Sequence, residues 1–171
     1  MIILTRPTLE LKEQALAYRQ EHFDKGERII NGSELFDQIE SYEEWLLSVT
    51  NNGSPETVNP AWVVTDTFFA IQEETGNIVG IIDFRHTLND FLADFGHCGY
   101  SVRPSERNKG FATEMLKQII SLARKTGLSK LQLSVERSNA PSIKTIEKNG
   151  GVYVRSFAYE GEEADIYDVI L

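Results

Sequence analysis

Between Gly110 and Gly127 the apolar residues Ala112, Met115, Leu116, Ile119, Ile120 and Ala123 recur at helical spacing, so this stretch buries one stripe of an amphipathic helix. Gly127 stands where a helix C-terminus stops. Residues 96–102 before the helix and 131–135 after it have the composition of strands. A strand, a crossover helix and a strand predict a right-handed parallel unit, which commits the chain to a mixed α/β fold. Such a unit places a ligand at the carboxyl end of its first strand.

The connection into the helix is Val102-Arg103-Pro104-Ser105-Glu106-Arg107-Asn108-Lys109-Gly110-Phe111-Ala112-Thr113. It reads as a strand end, a basic glycine-containing turn and a helix start. A helix N-terminus presents several N–H groups without intrahelical acceptors, together with a positive partial charge, and so suits a pyrophosphate-like anion. Gly110 allows close backbone approach, and the small Ala112 leaves the first turn uncovered. The formal net charge is −9, which repels nucleic acid, so the basic Arg103, Arg107 and Lys109 fit a small anion better than a duplex. Cations are disfavoured at a helix start, which argues for a ligand role for Arg107 and Lys109.

Elsewhere, residues 1–6 read as a first strand and residues 8–50 as helical. Thr8 and Ser41 are capping residues there, and Gly26 and Asn31-Gly32 are punctuation. Residues 67–72 and 78–84 predict a hairpin, followed by a polar segment, 85–94, at the mouth of a substrate site. A short helix at 141–148 ends at Asn149-Gly150-Gly151. A strand at 152–157 and a turn at 159–162 then lead to a last strand ending at Leu171. The 171 residues predict one domain, 1–171, with six or seven strands flanked by helices. No apolar run approaches the roughly 18 residues of a membrane span, and residues 1–6 show no secretion leader, so a cytoplasmic location is expected. Cys98 is the only cysteine and no metal-ligand spacing occurs, so neither a disulfide nor a metal is expected.

Two blocks together carry a family resemblance. Gly99-Tyr100-Ser101-Val102 leads to Arg107-x-x-Gly110-x-Ala112, and Ser138-Asn139-Ala140-Pro141-Ser142 leads to Glu147-Lys148-Asn149-Gly150. In this order they resemble the GNAT superfamily of acyl-CoA-dependent N-acyltransferases, over residues 78–155. The resemblance implies an α+β fold whose mixed, mostly antiparallel central sheet has a splayed strand pair that takes the pantetheine arm. It implies acetyl-CoA as co-substrate, with contacts at Tyr100, Ser101, Val102, Arg107, Asn108, Lys109, Gly110, Phe111, Ala112, Thr113, Asn139 and Ser142. A main-chain N–H near Val102 would then support the thioester oxygen. The acceptor implied is a primary amine: a small amine, an amino acid, an antibiotic or a protein amino terminus. Neither nucleic acid nor membrane is an expected partner, and a homodimer is the assembly to expect if copies associate.

One departure matters for mechanism. Many family members carry a tyrosine, able to protonate the leaving thiolate, where this chain has Ile146. Candidates for proton transfer are His97, Tyr100 and Glu136, each with an ordinary structural role as its alternative. Strand alternation puts His97 and Tyr100 on opposite faces, so one of them faces the acceptor. Asp83, Arg85, His86 and Asn89 form either a substrate-binding edge or a hydrated turn. Cys98 reads as a small buried apolar residue, not a nucleophile. The alternative function is a non-catalytic acyl-CoA-binding sensor or interaction module.

Overall fold

The computed structural model describes residues Met1–Leu171, and its core is organised by two strands buried on both faces. β1 (Ile2–Thr5), β2 (Thr65–Gln72) and β3 (Ile78–Arg85) pair antiparallel in that order, with Phe68 opposite Ile82. On one face of β3, Val79, Ile82 and Phe84 join the cluster containing Met115, Leu116 and Ile119. On the other, Ile78 and Ile81 join Tyr18, Phe36 and Trp45. The first set faces α3 (Phe111–Lys125), and the second faces α1 (Lys12–Asp24) and α2 (Tyr42–Asn52). The helical stripe read from the sequence is therefore the seam on which α3 sits, with Met115, Leu116, Ile119, Ile120 and Ala123 all buried.

β4 (Tyr100–Val102) closes this four-stranded sheet, and a second, antiparallel sheet is built from β5 (Lys130–Glu136), β6 (Val152–Tyr159) and β7 (Glu162–Ile170), in the order β5-β7-β6. No ladder joins β4 to β5: the two strands read as flanking the crossover helix do not pair but are splayed into an open gap, as the family resemblance implied. Residues 96–99 are not regular strand either. The Arg85 and Asp83 N–H groups donate to His97 O and Gly99 O, but the Gly99 N–H turns to the Asp83 carboxylate at 2.6 Å and the ladder is interrupted. At its far end Gly96 makes an isolated antiparallel bridge to Leu133, and the His97 N–H donates to Gln132 O at 2.8 Å. The two sheets thus touch at one end and diverge toward the other.

Residues 25–41 also differ from expectation, being turns and not helix. Side chains satisfy their peptide groups in place of a helical ladder. Trp45 Nε1 donates to Ser33 O and Glu34 O, Arg19 donates to Phe36 O and Ile39 O, and the Asp37 carboxylate accepts from the Ile30 N–H. Glu34 and Leu35 are left-handed, at φ 51° and 69°. Gly32 (φ 75°) lies against the backbone of residues 99–100, where a Cβ would come within 2.2 Å of Gly99 O. Only glycine lets this loop press on the start of β4.

The C-terminal hairpin matches its expected place, turning at Glu160 (φ 50°) and Gly161 (φ 82°), a pair with the positive φ values that tight hairpins use. α4 (Ala140–Lys148) starts at Asn139, whose side chain accepts from the Ser142 N–H at 3.2 Å. No helix is long and apolar enough to cross a membrane.

Candidate functional site

The gap between β4 and β5 opens into a cleft of about 1440 Å³. The hydrogen-bond phase of each strand decides what its walls offer. The Arg103 N–H bonds to Val79 O and the Asp83 N–H to Gly99 O, so the odd-numbered residues of β4 direct their peptide groups at β3. Tyr100 and Val102 consequently direct theirs into the gap. On β5, the Arg137 N–H bonds to Glu163 O and the Leu171 N–H to Ser129 O, so the odd-numbered residues face β7. Ser134 and Glu136 are left facing the gap. Two strand edges without ladder partners line one slot, although the Val102 carbonyl accepts from Arg107 Nε and the Glu136 carbonyl from the Asn139 N–H.

The slot runs to the start of α3. The first intrahelical bond there is from the Glu114 N–H to Gly110 O, so Phe111, Ala112 and Thr113 have N–H groups without helical acceptors. Asn108 (φ 63°) and Gly110 (φ 84°) turn the loop through left-handed conformations, and a Cβ on Gly110 would meet no atom within 4 Å. The cradle is open on the side that a ligand would enter. Its basic side chains are already compensated. Arg103 pairs with Glu21 at 3.0 Å, Lys109 with Glu106 at 2.8 Å, and Arg107 grips Glu27 with both terminal nitrogens at 2.7 and 2.6 Å. That two-pronged bond holds the Glu27 carboxyl down at about 2. Arg107 Nε also donates to Val102 O at 3.2 Å. Of the three cations only Arg107 lines the cleft.

Tyr100 lies in the cleft, with its phenol 2.7 Å from Ser142 Oγ on the first turn of α4. Burial pushes that phenol well above the ordinary tyrosine value, so it stays protonated. Ser142 and Ile146 are four residues apart on α4 and share a face, and Ile146 is buried in the cleft wall. Ser101, Val102, Asn108, Asn139 and Glu136 line the cleft as well, Glu136 being exposed and without a cation partner.

His97 points elsewhere. Its Nδ1 accepts from the Gln132 N–H at 2.9 Å, and burial, followed by the nearby Arg85 charge, lowers its pKa. A neutral ring therefore clasps the β5 edge where the sheets meet. Of the substrate candidates, only Arg85 lines the cleft, donating to Gly96 O at 2.9 Å and lying over the Trp62 ring at 5.6 Å. Asp83 is buried beneath it, 3.4 Å from Arg85 Nη2. His86 bonds Asp66 at 2.7 Å, and Asn89 Oδ1 accepts from the Leu92 N–H at 2.9 Å, so neither reaches the cleft. Cys98 is buried and its thiol is pushed well up by that burial, as an inert core residue should be.

Sequence reasoning missed the opposite end of the cleft, which Leu35, Trp62, Phe91, Phe95, Phe157 and Tyr159 wall. Phe91 lies within the segment 85–94 read as polar and Phe95 directly after it, an i, i+4 aromatic pair visible in the sequence. Glu34 was also missed. It sits 4.0 Å from Arg85 Nε, and burial, followed by the nearby Asp83 charge, raises its carboxyl to about 9.

The family model described as an acetyltransferase (GNAT) domain matches residues 6–152. No curated protein sequence gave a match. Among solved structures, the GNAT-family acetyltransferase from Streptococcus pneumoniae superposes with a TM-score of 0.70 at 17% identity, covering 100% of both chains. The ribosomal L7/L12 alpha-N-protein acetyltransferase RimL, in complex with coenzyme A, has a TM-score of 0.72 at 13% identity, covering 99% of this chain and 94% of its own. The microcin C7 self-immunity acetyltransferase MccE, in complex with acetyl-CoA and AMP, has a TM-score of 0.71 at 17% identity, covering 99% and 92%. At these identities the structures establish the fold, and the matched family model establishes the rest: the chain belongs to the GNAT acetyltransferase family.

Proposed function

We propose that the protein binds acetyl-CoA in this cleft and transfers its acetyl group to a primary amine by direct attack on the thioester carbonyl. The observation that carries the reading is one continuous slot, running from the free N–H groups of α3 past two unpaired strand edges to the Tyr100 phenol. The amides of Phe111, Ala112 and Thr113, with Gly110 leaving room, hold the pyrophosphate. The pantetheine arm bonds to the edges of β4 and β5 as an added strand would, beside Asn139 and Ser142. The complexes of RimL with coenzyme A and of MccE with acetyl-CoA lend support, because both share this fold.

The N–H of Val102 or Tyr100, directed into the gap, supports the carbonyl oxygen as negative charge develops on it. The ammonium first gives one proton to water in the open cleft, and the free amine then attacks: the nitrogen–carbon bond forms and the carbon–sulfur bond breaks. Tyr100 donates its phenolic proton to the departing thiolate, substituting for the tyrosine absent at Ile146, and the second nitrogen proton returns through water to restore the phenol. His97, clasped to the β5 edge, takes no part.

A thiol-release assay with acetyl-CoA across a panel of primary amines tests the reading. Amine-dependent release of coenzyme A is the expected result. Tight binding of acetyl-CoA without transfer to any amine, lysine peptide or peptide amino terminus overturns it in favour of a sensor module.

A further inference from the structure

The cleft has two chemically different ends. At the cradle, β4 delivers the chain to backbone amides and compensated charges. At the other end of β4, about 10 Å along a strand of three residues, the lining turns apolar. Phe91 remains 68% exposed, and Leu35 and Tyr159 are exposed as well. The aromatic members touch in sequence: Trp62 with Phe91 at 6.3 Å between ring centroids, Phe91 with Phe95 at 5.5 Å, and Phe95 with Tyr159 at 5.1 Å. Large exposed apolar groups gathered on one wall of a cleft mark a surface that a ligand covers.

The charges at this end have one sign. Arg85 lines it over the Trp62 ring, while Asp83, below the surface, is already paired with Arg85. Glu34 lies under the same corner, buried and held uncharged by that burial and by Asp83. The acids that do line the cleft lie toward the cradle: Glu27 is taken by Arg107 and Glu106 by Lys109, and Glu136 closes β5. Among the residues that line this end, a second or third ammonium on an acceptor would find no free carboxylate. It would also leave water beside the Arg85 guanidinium.

Building on the acetyl-transfer reading, we propose that the acceptor is a monoamine carried on an apolar, aromatic-sized body that the Trp62–Phe91–Phe95–Tyr159 wall covers, and not a polyamine. The body packs on the rings and presents its amine past Cys98 and Gly99 to the thioester in the β4–β5 gap. Phe91 is a specificity-determining residue in this arrangement. It supplies an exposed face to the acceptor and makes no contact with the cradle.

The test uses the full chain with saturating acetyl-CoA and compares kcat/KM for phenethylamine and spermidine. The expected preference for phenethylamine is about tenfold or more, the consequence of one modest apolar contact area. Phe91→Ser, at an exposed position, should raise the KM for phenethylamine about tenfold and leave the KM for acetyl-CoA unchanged. Spermidine turned over as well as phenethylamine, or an unchanged phenethylamine KM in Phe91→Ser, overturns the acceptor proposal while acetyl transfer stands. Transfer to neither amine nor to any other member of the panel, with acetyl-CoA binding intact, removes the transferase reading and this proposal with it.

Discussion

The Tyr100 phenol meets the Ser142 hydroxyl at 2.7 Å, one helical turn before Ile146 on the same face of α4. A proton donor on β4 therefore reaches the stretch of α4 from which other family members offer a tyrosine. Tyr100→Phe should lower kcat by about a hundredfold, the scale of one lost general acid, with the KM for acetyl-CoA changed by less than about threefold. Ser142→Ala, which removes only the hydroxyl that positions the phenol, should lower kcat less. Steady-state kinetics on the two variants check this, and an unaltered kcat in Tyr100→Phe removes the phenol from the mechanism.

Gly110 combines a left-handed backbone with open space on its side-chain side. Gly110→Val places two methyl groups over the free amides of α3 and forces a β-branched residue into φ 84°. The backbone cost is about 1–2 kcal/mol, so the fold survives with a lowered Tm. The KM for acetyl-CoA should rise by more than about tenfold. Isothermal titration with coenzyme A gives the direct reading, and unchanged affinity would refute the cradle.

Periodicity and turn residues were enough to place α3, the β2–β3 hairpin and α4, because each buries a stripe whose spacing is written locally. The start of α3 was legible for the same reason: Gly110 directly before an amphipathic run marks a helix start whose first amides are uncovered. What was not legible depends on contacts distant in sequence. Residues 25–41 look like a helix with interruptions until Trp45 and Arg19 are seen occupying their carbonyls. For His97 the sequence left a proton-transfer role and a structural one side by side, and only its contact with the Gln132 N–H, 35 positions away, favours the second. The charges of Arg103 and Arg107 looked available, yet Glu21 and Glu27 come from the end of α1 and the residues just after it, which nothing near the motif announces.

The Arg107–Glu27 grip yields a further prediction. Arg107 spends both terminal nitrogens on Glu27 and its Nε on Val102 O, so its main effect is to hold the end of β4 in place. Arg107→Ala should raise the KM for acetyl-CoA by less than about tenfold, a smaller change than Gly110→Val causes. The double variant Arg107→Ala/Glu27→Ala should be no worse than Arg107→Ala alone, since it removes the carboxylate left unpaired. A double-mutant cycle on acetyl-CoA affinity and Tm measures both. A strongly additive loss would mean that Arg107 acts on the ligand independently of Glu27.

Glu34 makes stability depend on pH in a direction opposite to that of most carboxylates. Unfolded, its carboxyl releases a proton near the ordinary value of 4.5; folded, burial first and then the Asp83 charge hold the proton up to about 9. The folded state therefore binds more protons between these values, and stability must fall as pH rises through the interval. The contribution is fully present below 4.5 and is lost progressively on approach to 9. Glu34→Gln keeps an uncharged hydrogen-bonding group facing Asp83 and Arg85 and has nothing to titrate. Its Tm relative to the parent protein should accordingly climb from about pH 5 to about pH 9, by a margin that levels off above that. A Tm difference that stays flat across this range would mean that Glu34 is ionised in the fold, and that Arg85 answers two carboxylates at the floor of the cleft, not one.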